Sequence, residues 1–171
     1  ILLGEKDLLD DGISKLVWDN TAVLVLASSN PNQMASLRYM ICKLDELGIK
    51  APVVIFQNHS EPDAETFSIA ASIDTGALFL DGLADGLWLK NPFIEAAKIN
   101  SISFAMLQAC RARISKTEFI ACPSCGRTQF DIQKALHEIK QKTSHLTGLK
   151  IGVMGCIVNG PGEMADSDYG F

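Results

Sequence analysis

Apolar runs of strand length alternate with longer stretches of helical period along the first half of the chain. Residues 21–27 (TAVLVLA) and 52–56 (PVVIF) are short, continuous apolar runs, which are typical of buried strands. Between them, Asn30 and the proline after it supply a capping residue and a favourable first-turn residue, and Gly48 supplies a stop signal. The intervening apolar residues recur at a period of about 3.6, so we predict a helix there.

The alternation continues through the middle of the chain. We predict a helix over residues 62–73, a strand over 76–80 (GALFL) and a short strand over 87–89 (LWL). Asn91-Pro92 repeats the helix-start signal and predicts a further helix as far as about Arg113. This regular succession predicts an α/β fold with largely parallel strand pairing.

The last third of the chain has the pattern of a second, smaller α/β unit. A predicted strand over residues 118–121 leads into CPSCGR, and a predicted helix over 128–143 is followed by a strand over 149–154. The remaining residues contain Asn-Gly and Pro-Gly turn signals without sustained periodicity, so we predict a loop from Gly155 to Phe171. The chain therefore divides into two predicted domains, residues 1–114 and residues 115–171.

Composition excludes several classes of protein. Hydrophobic residues make up 47% and charged residues 20%, which is ordinary for a globular protein and unlike a disordered or fibrous one. The formal net charge of -5 argues against nucleic acid or an anionic membrane as a partner. No apolar run approaches the roughly 20 residues that span a bilayer. The chain begins at Ile1 rather than at methionine, so we expect it to be a piece of a longer polypeptide.

The five cysteines are few, odd in number and scattered, which favours a reducing compartment over a disulfide scaffold. Cys122 and Cys125 lie where a predicted strand runs into a predicted helix, so exposed backbone N–H groups can stabilise their thiolate forms. The spacing alone leaves zinc binding, iron–sulfur ligation and thioredoxin-like redox chemistry open for this pair.

A third thiol is predicted to reach the same place. Cys156 follows the last predicted strand, and in a parallel β-α-β arrangement it emerges at the same carboxyl edge of the sheet as Cys122 and Cys125. The NGPG segment allows the chain to reverse, so Glu163 can approach the sulfurs. Three thiolates and one carboxylate match no common structural zinc set, but they suit a cubane iron–sulfur cluster with one exchangeable position.

Two motifs carry a family resemblance. CPSCGRT, beginning at Cys122, and MGCIVNGPGE, ending at Glu163, together resemble the iron–sulfur domain of the 4-hydroxy-3-methylbut-2-enyl diphosphate synthases. The similarity is strong from about Thr117 onward, while the preceding α/β part resembles the insertion domain of the larger, three-domain members. The resemblance implies that residues 1–114 are part of that insertion with a linker helix. It implies that residues 115–171 are the iron–sulfur domain, incomplete at its C-terminus.

For the parent enzyme, the resemblance implies an iron–sulfur oxidoreductase of non-mevalonate isoprenoid biosynthesis. Its reaction would be the two-electron reductive ring opening of 2-C-methyl-D-erythritol 2,4-cyclodiphosphate to 4-hydroxy-3-methylbut-2-enyl diphosphate. The implied cofactor is a [4Fe-4S] cluster with the ligands Cys122, Cys125, Cys156 and Glu163, of which Glu163 is the catalytic ligand that the substrate displaces. Asn159 is then a candidate substrate contact. The implied electron donor is ferredoxin or flavodoxin, and the implied location is the bacterial cytoplasm or the plastid stroma.

Other expectations follow from what these residues lack. The TIM barrel that grips the diphosphate in this family is absent from the sequence, so it is an implied partner domain and we predict that the chain alone is inactive. Arg127 is open to two roles, phosphate recognition and surface pairing. The alternative interpretations are a thioredoxin-like thiol–disulfide protein, a structural zinc site and a non-catalytic assembly module.

Overall fold

The computed structural model describes residues 1–18, 21–128, 130–158 and 160–171. These residues form two compact units, unit 1 (Ile1–Arg113) and unit 2 (Ile114–Phe171), each with its own sheet. The predicted α/β class is confirmed, because helices alternate with parallel strands in both units. None of the helices found among the described residues is long and apolar enough to cross a membrane.

Unit 1 combines a parallel sheet with helices on the connections between its strands. Its strands are β1 (Leu2–Leu3), β2 (Leu24–Leu26), β3 (Val53–Asn58) and β4 (Gly86–Lys90). Its α-helices are α1 (Gln33–Glu46), α2 (Ala64–Leu80) and α3 (Ala96–Ala109). Two 3-10 helices lie between β1 and β2, at Asp7–Leu9 and Asp11–Trp18.

The strands of unit 1 are neighbours in chain order, β1-β2-β3-β4, and all of them run parallel. In the register, Leu24 lies opposite Val53 and Ile55 lies opposite Leu87. Alternate residues of β2 and β3 face the core, where Leu24, Leu26 and Ile55 are completely buried. Side chains of α1 and α2 complete this core, among them Leu37, Met40 and Leu78.

The predicted strand over residues 76–80 is wrong, because these residues form the last turns of α2. Asp63 caps this helix by accepting a hydrogen bond from the Thr66 N–H at 2.9 Å. From Phe67 to Leu78, residues at helical spacing are buried. A short apolar run does not distinguish a buried strand from the end of a buried helix, and here the period of the whole segment decides.

Both Asn-Pro signals lie ahead of the helices that they predict. The cap of α1 is Asn32, whose side chain accepts a hydrogen bond from the Ala35 N–H at 3.2 Å. Asn91 accepts a hydrogen bond from the Phe93 N–H at 2.8 Å, and α3 begins only after Glu95. An asparagine side chain that bonds two residues onward forms a local turn, which delays the helix.

Unit 2 contains three strands in its described part, β5 (Glu118–Ala121), β6 (Lys150–Val153) and β7 (Tyr169–Gly170), parallel in the order β5-β6-β7. Its helices are α4 (Ile132–Thr143) and the short α5 (Gly160–Glu163). The prediction of a loop from Gly155 to Phe171 is therefore wrong in part. A two-residue strand has no readable periodicity, and pairing with β6 fixes β7, since the Met154 N–H donates to the Phe171 carbonyl at 2.9 Å.

Candidate metal centre

Two turns that carry cysteines leave the same edge of the unit 2 sheet. The parallel neighbours β5 and β6 place Ala121 opposite Val153. Cys122 follows Ala121 directly, and its N–H donates to the Val153 carbonyl at 3.1 Å, which extends the pairing by one residue. Cys156 lies in the turn that follows β6. Since the carboxyl ends of parallel strands meet at one edge, the two cysteine turns lie on the same side of the sheet.

Hydrogen bonds around Cys125 hold the turn after β5. The Thr128 N–H donates to the Cys125 carbonyl at 3.0 Å, and the Cys125 N–H donates to Thr128 Oγ1 at 3.3 Å. Ser124 has a φ of 73°, in the left-handed region that a residue with a side chain rarely adopts. Cys122 is half-buried, Cys125 is exposed, and both are free thiols. The turn therefore presents two sulfurs from a backbone of defined conformation.

Gly155 allows the two cysteine turns to approach each other. A Cβ added at Gly155 would lie 2.5 Å from Thr128 Oγ1 and 2.8 Å from Thr128 Cγ2, closer than real Cβ contacts come. Gly155 directly precedes Cys156, and Thr128 is hydrogen-bonded to Cys125, so this contact links both turns. Sequence reasoning missed Gly155 because its need for space is set by a residue distant in the chain.

Arg127 is a cation that lies two residues after Cys125 and lines the same cavity as Cys156. The backbone N–H and the guanidinium group of Arg127 favour the thiolate form of Cys125 and so lower the pKa of its thiol below the usual value. The side chain of Cys125, and more weakly those of Cys156 and Cys122, raise the pKa of Arg127 above its usual value. The sequence left Arg127 between phosphate recognition and surface pairing, and its effect on the Cys125 thiol is a further role that spacing alone did not indicate.

Glu163, the predicted fourth ligand, ends α5. The Gly160 N–H donates to the Cys156 carbonyl at 3.0 Å, so this short helix begins directly after the cysteine turn. Glu163 itself is exposed. Asn159, the candidate substrate contact, lies outside the described residues.

A cavity of about 650 Å³ adjoins the turn after β6, and Cys156 and Arg127 both line it. Apart from these two residues its described lining is glycine, proline and apolar side chains, including Phe130 and Phe171, whose rings meet edge to face at 5.7 Å. Cavities of a few hundred cubic ångströms with a few polar groups are typical of small-molecule sites. A ligand in this cavity would therefore contact Cys156, a candidate metal ligand.

The donor set of unit 2 fits an iron–sulfur cluster by its chemistry, because thiolates are the usual ligands of such clusters and a carboxylate gives one weaker position. Within the described residues, no three His, Cys, Asp or Glu side chains are arranged closely enough to hold a metal ion. The structure thus brings the two cysteine turns to one edge and places Arg127 and Cys156 in the lining of one cavity, without a closed coordination shell among the described residues.

The remaining cysteines belong to unit 1. Cys110 donates a hydrogen bond to the Gly76 carbonyl at 3.5 Å, and burial raises the pKa of its thiol. Cys42 is an exposed free thiol in α1. A half-buried thiol with a raised pKa is less reactive than an exposed thiol of ordinary pKa, so Cys110 has the character of a structural cysteine.

Comparison with known proteins identifies relatives of the whole chain. Residues 118–171 match the family model of the GcpE protein C-terminal domain. Over 171 residues the chain is 48% identical to the 4-hydroxy-3-methylbut-2-en-1-yl diphosphate synthase (flavodoxin) of Parabacteroides distasonis, which covers 100% of this chain and 28% of that protein. The protein of the same name from Bacteroides fragilis is 50% identical over 151 residues, covering 88% of this chain and 24% of the relative.

A third relative of that name, from Porphyromonas gingivalis, is 42% identical over 167 residues, which cover 98% of this chain and 29% of the relative. The resemblance drawn from the two cysteine motifs is therefore confirmed. The chain spans less than a third of the length of the curated relatives that it matches.

Proposed function

Because residues 118–171 belong to the GcpE C-terminal domain family and the whole chain is similar to part of these synthases, we propose that it is one part of such an enzyme. The parent protein would convert 2-C-methyl-D-erythritol 2,4-cyclodiphosphate to 4-hydroxy-3-methylbut-2-enyl diphosphate. That reaction takes up two electrons and protons, opens the cyclic diphosphate and eliminates water. The observation that carries the proposal is the alignment over all 171 residues of this chain, at 48% identity.

Unit 2 would hold the [4Fe-4S] cluster of the parent enzyme through Cys122, Cys125, Cys156 and Glu163. Such a cluster supplies electrons one at a time. The positions of the two cysteine turns at one sheet edge, and the contact of Gly155 with Thr128, support this ligand set. Iron binds a carboxylate less firmly than a thiolate, so Glu163 would be the ligand that exchanges during catalysis.

The other parts of the parent enzyme would supply what this chain lacks. Unit 1 would be part of the insertion domain, and a TIM barrel elsewhere in the parent would grip the diphosphate. Asn159, between the cluster ligands Cys156 and Glu163, would contact the substrate. The names of the relatives include flavodoxin, which supports a flavodoxin as electron donor here, with ferredoxin as the second candidate. The chain by itself would be inactive.

A thioredoxin-like function explains less of the sequence. It would use Cys122 and Cys125 as a reversible disulfide, but it leaves Cys156 and Glu163 without a role. A structural zinc site has the same weakness, because such sites are usually built from cysteine alone or cysteine with histidine. Neither alternative accounts for similarity to the synthases over the whole chain.

A segment exchange tests the proposed function. This chain would replace the matching segment of the Parabacteroides distasonis synthase, and the chimera would be assayed anaerobically for turnover of the cyclodiphosphate with reduced flavodoxin. We expect turnover by the chimera, and none by its Cys156→Ser version or by the isolated chain. A chimera that holds about four irons per chain but does not turn over would contradict the proposal. Turnover by the isolated chain would contradict the need for the rest of the parent.

A further inference from the structure

Met164 lies against the backbone of two paired strands. It follows Glu163 directly, at the end of α5, and it is half-buried. In the register of the sheet, Gly152 of β6 lies opposite Gly170 of β7. A Cβ added at Gly152 would lie 2.7 Å from Met164 Cγ, and one added at Gly170 would lie 2.7 Å from Met164 Sδ. Real Cβ atoms do not come so close, so the Met164 side chain fills a hollow that only this pair of glycines leaves open.

The backbone connects Met164 to the turn that carries Cys156. The Gly160 N–H donates to the Cys156 carbonyl at 3.0 Å, and the Met164 N–H donates to the Gly160 carbonyl at 2.9 Å. The helix between them, α5, has only four residues. A helix of that length is not stable by itself, so its position depends on packing against the rest of the unit. The contact of Met164 with β6 and β7 supplies such packing at the end of α5.

We infer that Met164 is a positioning residue for Glu163, the exchangeable cluster ligand. The inference rests on the proposed function, since it requires that cluster. Met164 fixes the end of α5 against the sheet, and this contact restricts the positions that Glu163, one residue earlier, can take. An unbranched methionine side chain suits the purpose because it adapts to an irregular hollow. Residues that orient a metal ligand typically change metal affinity about 10–100-fold when they are replaced.

Two substitutions disturb this contact from opposite sides. Met164→Ala empties the hollow, while Gly170→Ala displaces the Met164 side chain without shortening it. Ile132→Ala is the matched control, because it truncates a side chain of unit 2 that is 5% exposed and belongs to a different helix, α4. Met164→Ala is also made together with Glu163→Ala. If Met164 acts only through Glu163, the second substitution has no further effect once Glu163 is gone.

The experiment measures how firmly the full chain, reconstituted anaerobically and assayed for iron and sulfide, holds the iron that no thiolate binds. Added ferricyanide takes one electron from the cluster, that iron leaves as Fe²⁺, and a three-iron cluster with its own EPR signal remains. We expect the signal to grow about tenfold faster in Met164→Ala than in the wild type, and less so in Gly170→Ala. Ile132→Ala should match the wild type, and Met164→Ala should add nothing to Glu163→Ala.

A wild-type rate in a fully loaded Met164→Ala chain would overturn the inference, and so would an equal acceleration in Ile132→Ala. A further acceleration when Met164→Ala is added to Glu163→Ala would overturn it too. So would a Met164→Ala chain that is folded by circular dichroism but takes up no cluster while Glu163→Ala does, since Met164 would then support more than Glu163. If Met164→Ala does not fold, Gly170→Ala decides, and a wild-type rate in that variant overturns the inference. Failure of the wild-type chain to take up any cluster would instead contradict the proposed function, so the two failures are distinguishable.

Discussion

Unit 1 and unit 2 are both parallel α/β structures, but different interactions hold them together. In unit 1, two clusters of buried apolar side chains lie between strands and helices. In the described part of unit 2, the buried apolar side chains are only Ile132, Ile151, Val153 and Met154. Small units with so few buried side chains usually depend on a disulfide, a metal or another cross-link. This difference indicates that metal binding by the cysteines of unit 2 would stabilise the unit as well as supply its chemistry.

The largest effect is expected from a ligand of the proposed cluster. Cys156→Ser should abolish iron binding by the reconstituted chain, because it removes the one ligand that comes from the turn after β6. Glu163→Ala should spare more of the iron, since it leaves all three thiolates. Cys42→Ser, in unit 1, is the matched control and should retain the wild-type iron content. Equal and complete loss in Cys156→Ser and Glu163→Ala would count against an exchangeable carboxylate ligand.

A core substitution in unit 1 should destabilise the unit that buried apolar side chains hold together. Leu24 is 0% exposed, and Leu24→Ala is expected to cost about 2–5 kcal/mol of unfolding free energy through lost burial and a cavity. Both tryptophans lie in residues 1–113, so tryptophan fluorescence during urea unfolding reports on unit 1. Leu9→Ala, at a side chain that is 83% exposed, should change little. Equal losses in the two variants would show that the buried cluster does not dominate unit 1.

A substitution at the contact between the cysteine turns should have an intermediate effect on stability, confined to unit 2. Gly155→Ala forces Thr128 to move, and overpacking of this kind costs about 1–3 kcal/mol. We expect the variant to lose its cluster to an iron chelator faster than the wild type does. Gly162→Ala is the control, because an added Cβ there meets nothing within 4 Å. Identical loss rates for the two variants would show that the approach of the turns is not tight.

The smallest expected effect is a pH-dependent change in the stability of unit 1. Glu5 accepts hydrogen bonds from the hydroxyl groups of Ser28 and Ser36, which hold the pKa of its carboxyl below the ordinary value. A lowered pKa in the folded state gives stability that is present above the unfolded value and lost as the pH falls through the folded value. Glu5→Gln should therefore melt lower than the wild type at neutral pH, and the gap should close in acid. A gap independent of pH would contradict this role.

The sequence predicted most of the strands of both units but few of the helix starts. Five of the strands, β2 to β6, are apolar runs bounded by turn or helix signals, and such runs are readable without the structure. β1 and β7 have two residues each, and only their pairing with a neighbour defines them. The strand predicted over residues 76–80 was wrong because local apolar content does not reveal that the helical period continues from Phe67.

The parts of the candidate site that depend only on residue type and spacing were predictable from the sequence. CPSC and MGC identify Cys122, Cys125 and Cys156, and parallel pairing of β5 with β6 follows from the pattern around them. The ligand set itself stays a prediction. The fit of Gly155 against Thr128 and the shared cavity of Arg127 and Cys156 depend on how two distant turns meet, which no local pattern encodes.

The most direct measurement is the metal and sulfide content of the full chain after anaerobic reconstitution, together with its absorption spectrum. The account predicts about four irons and about four sulfides per chain, with broad absorption at about 400 nm. A colourless protein that binds one zinc per chain, or no metal, would contradict it.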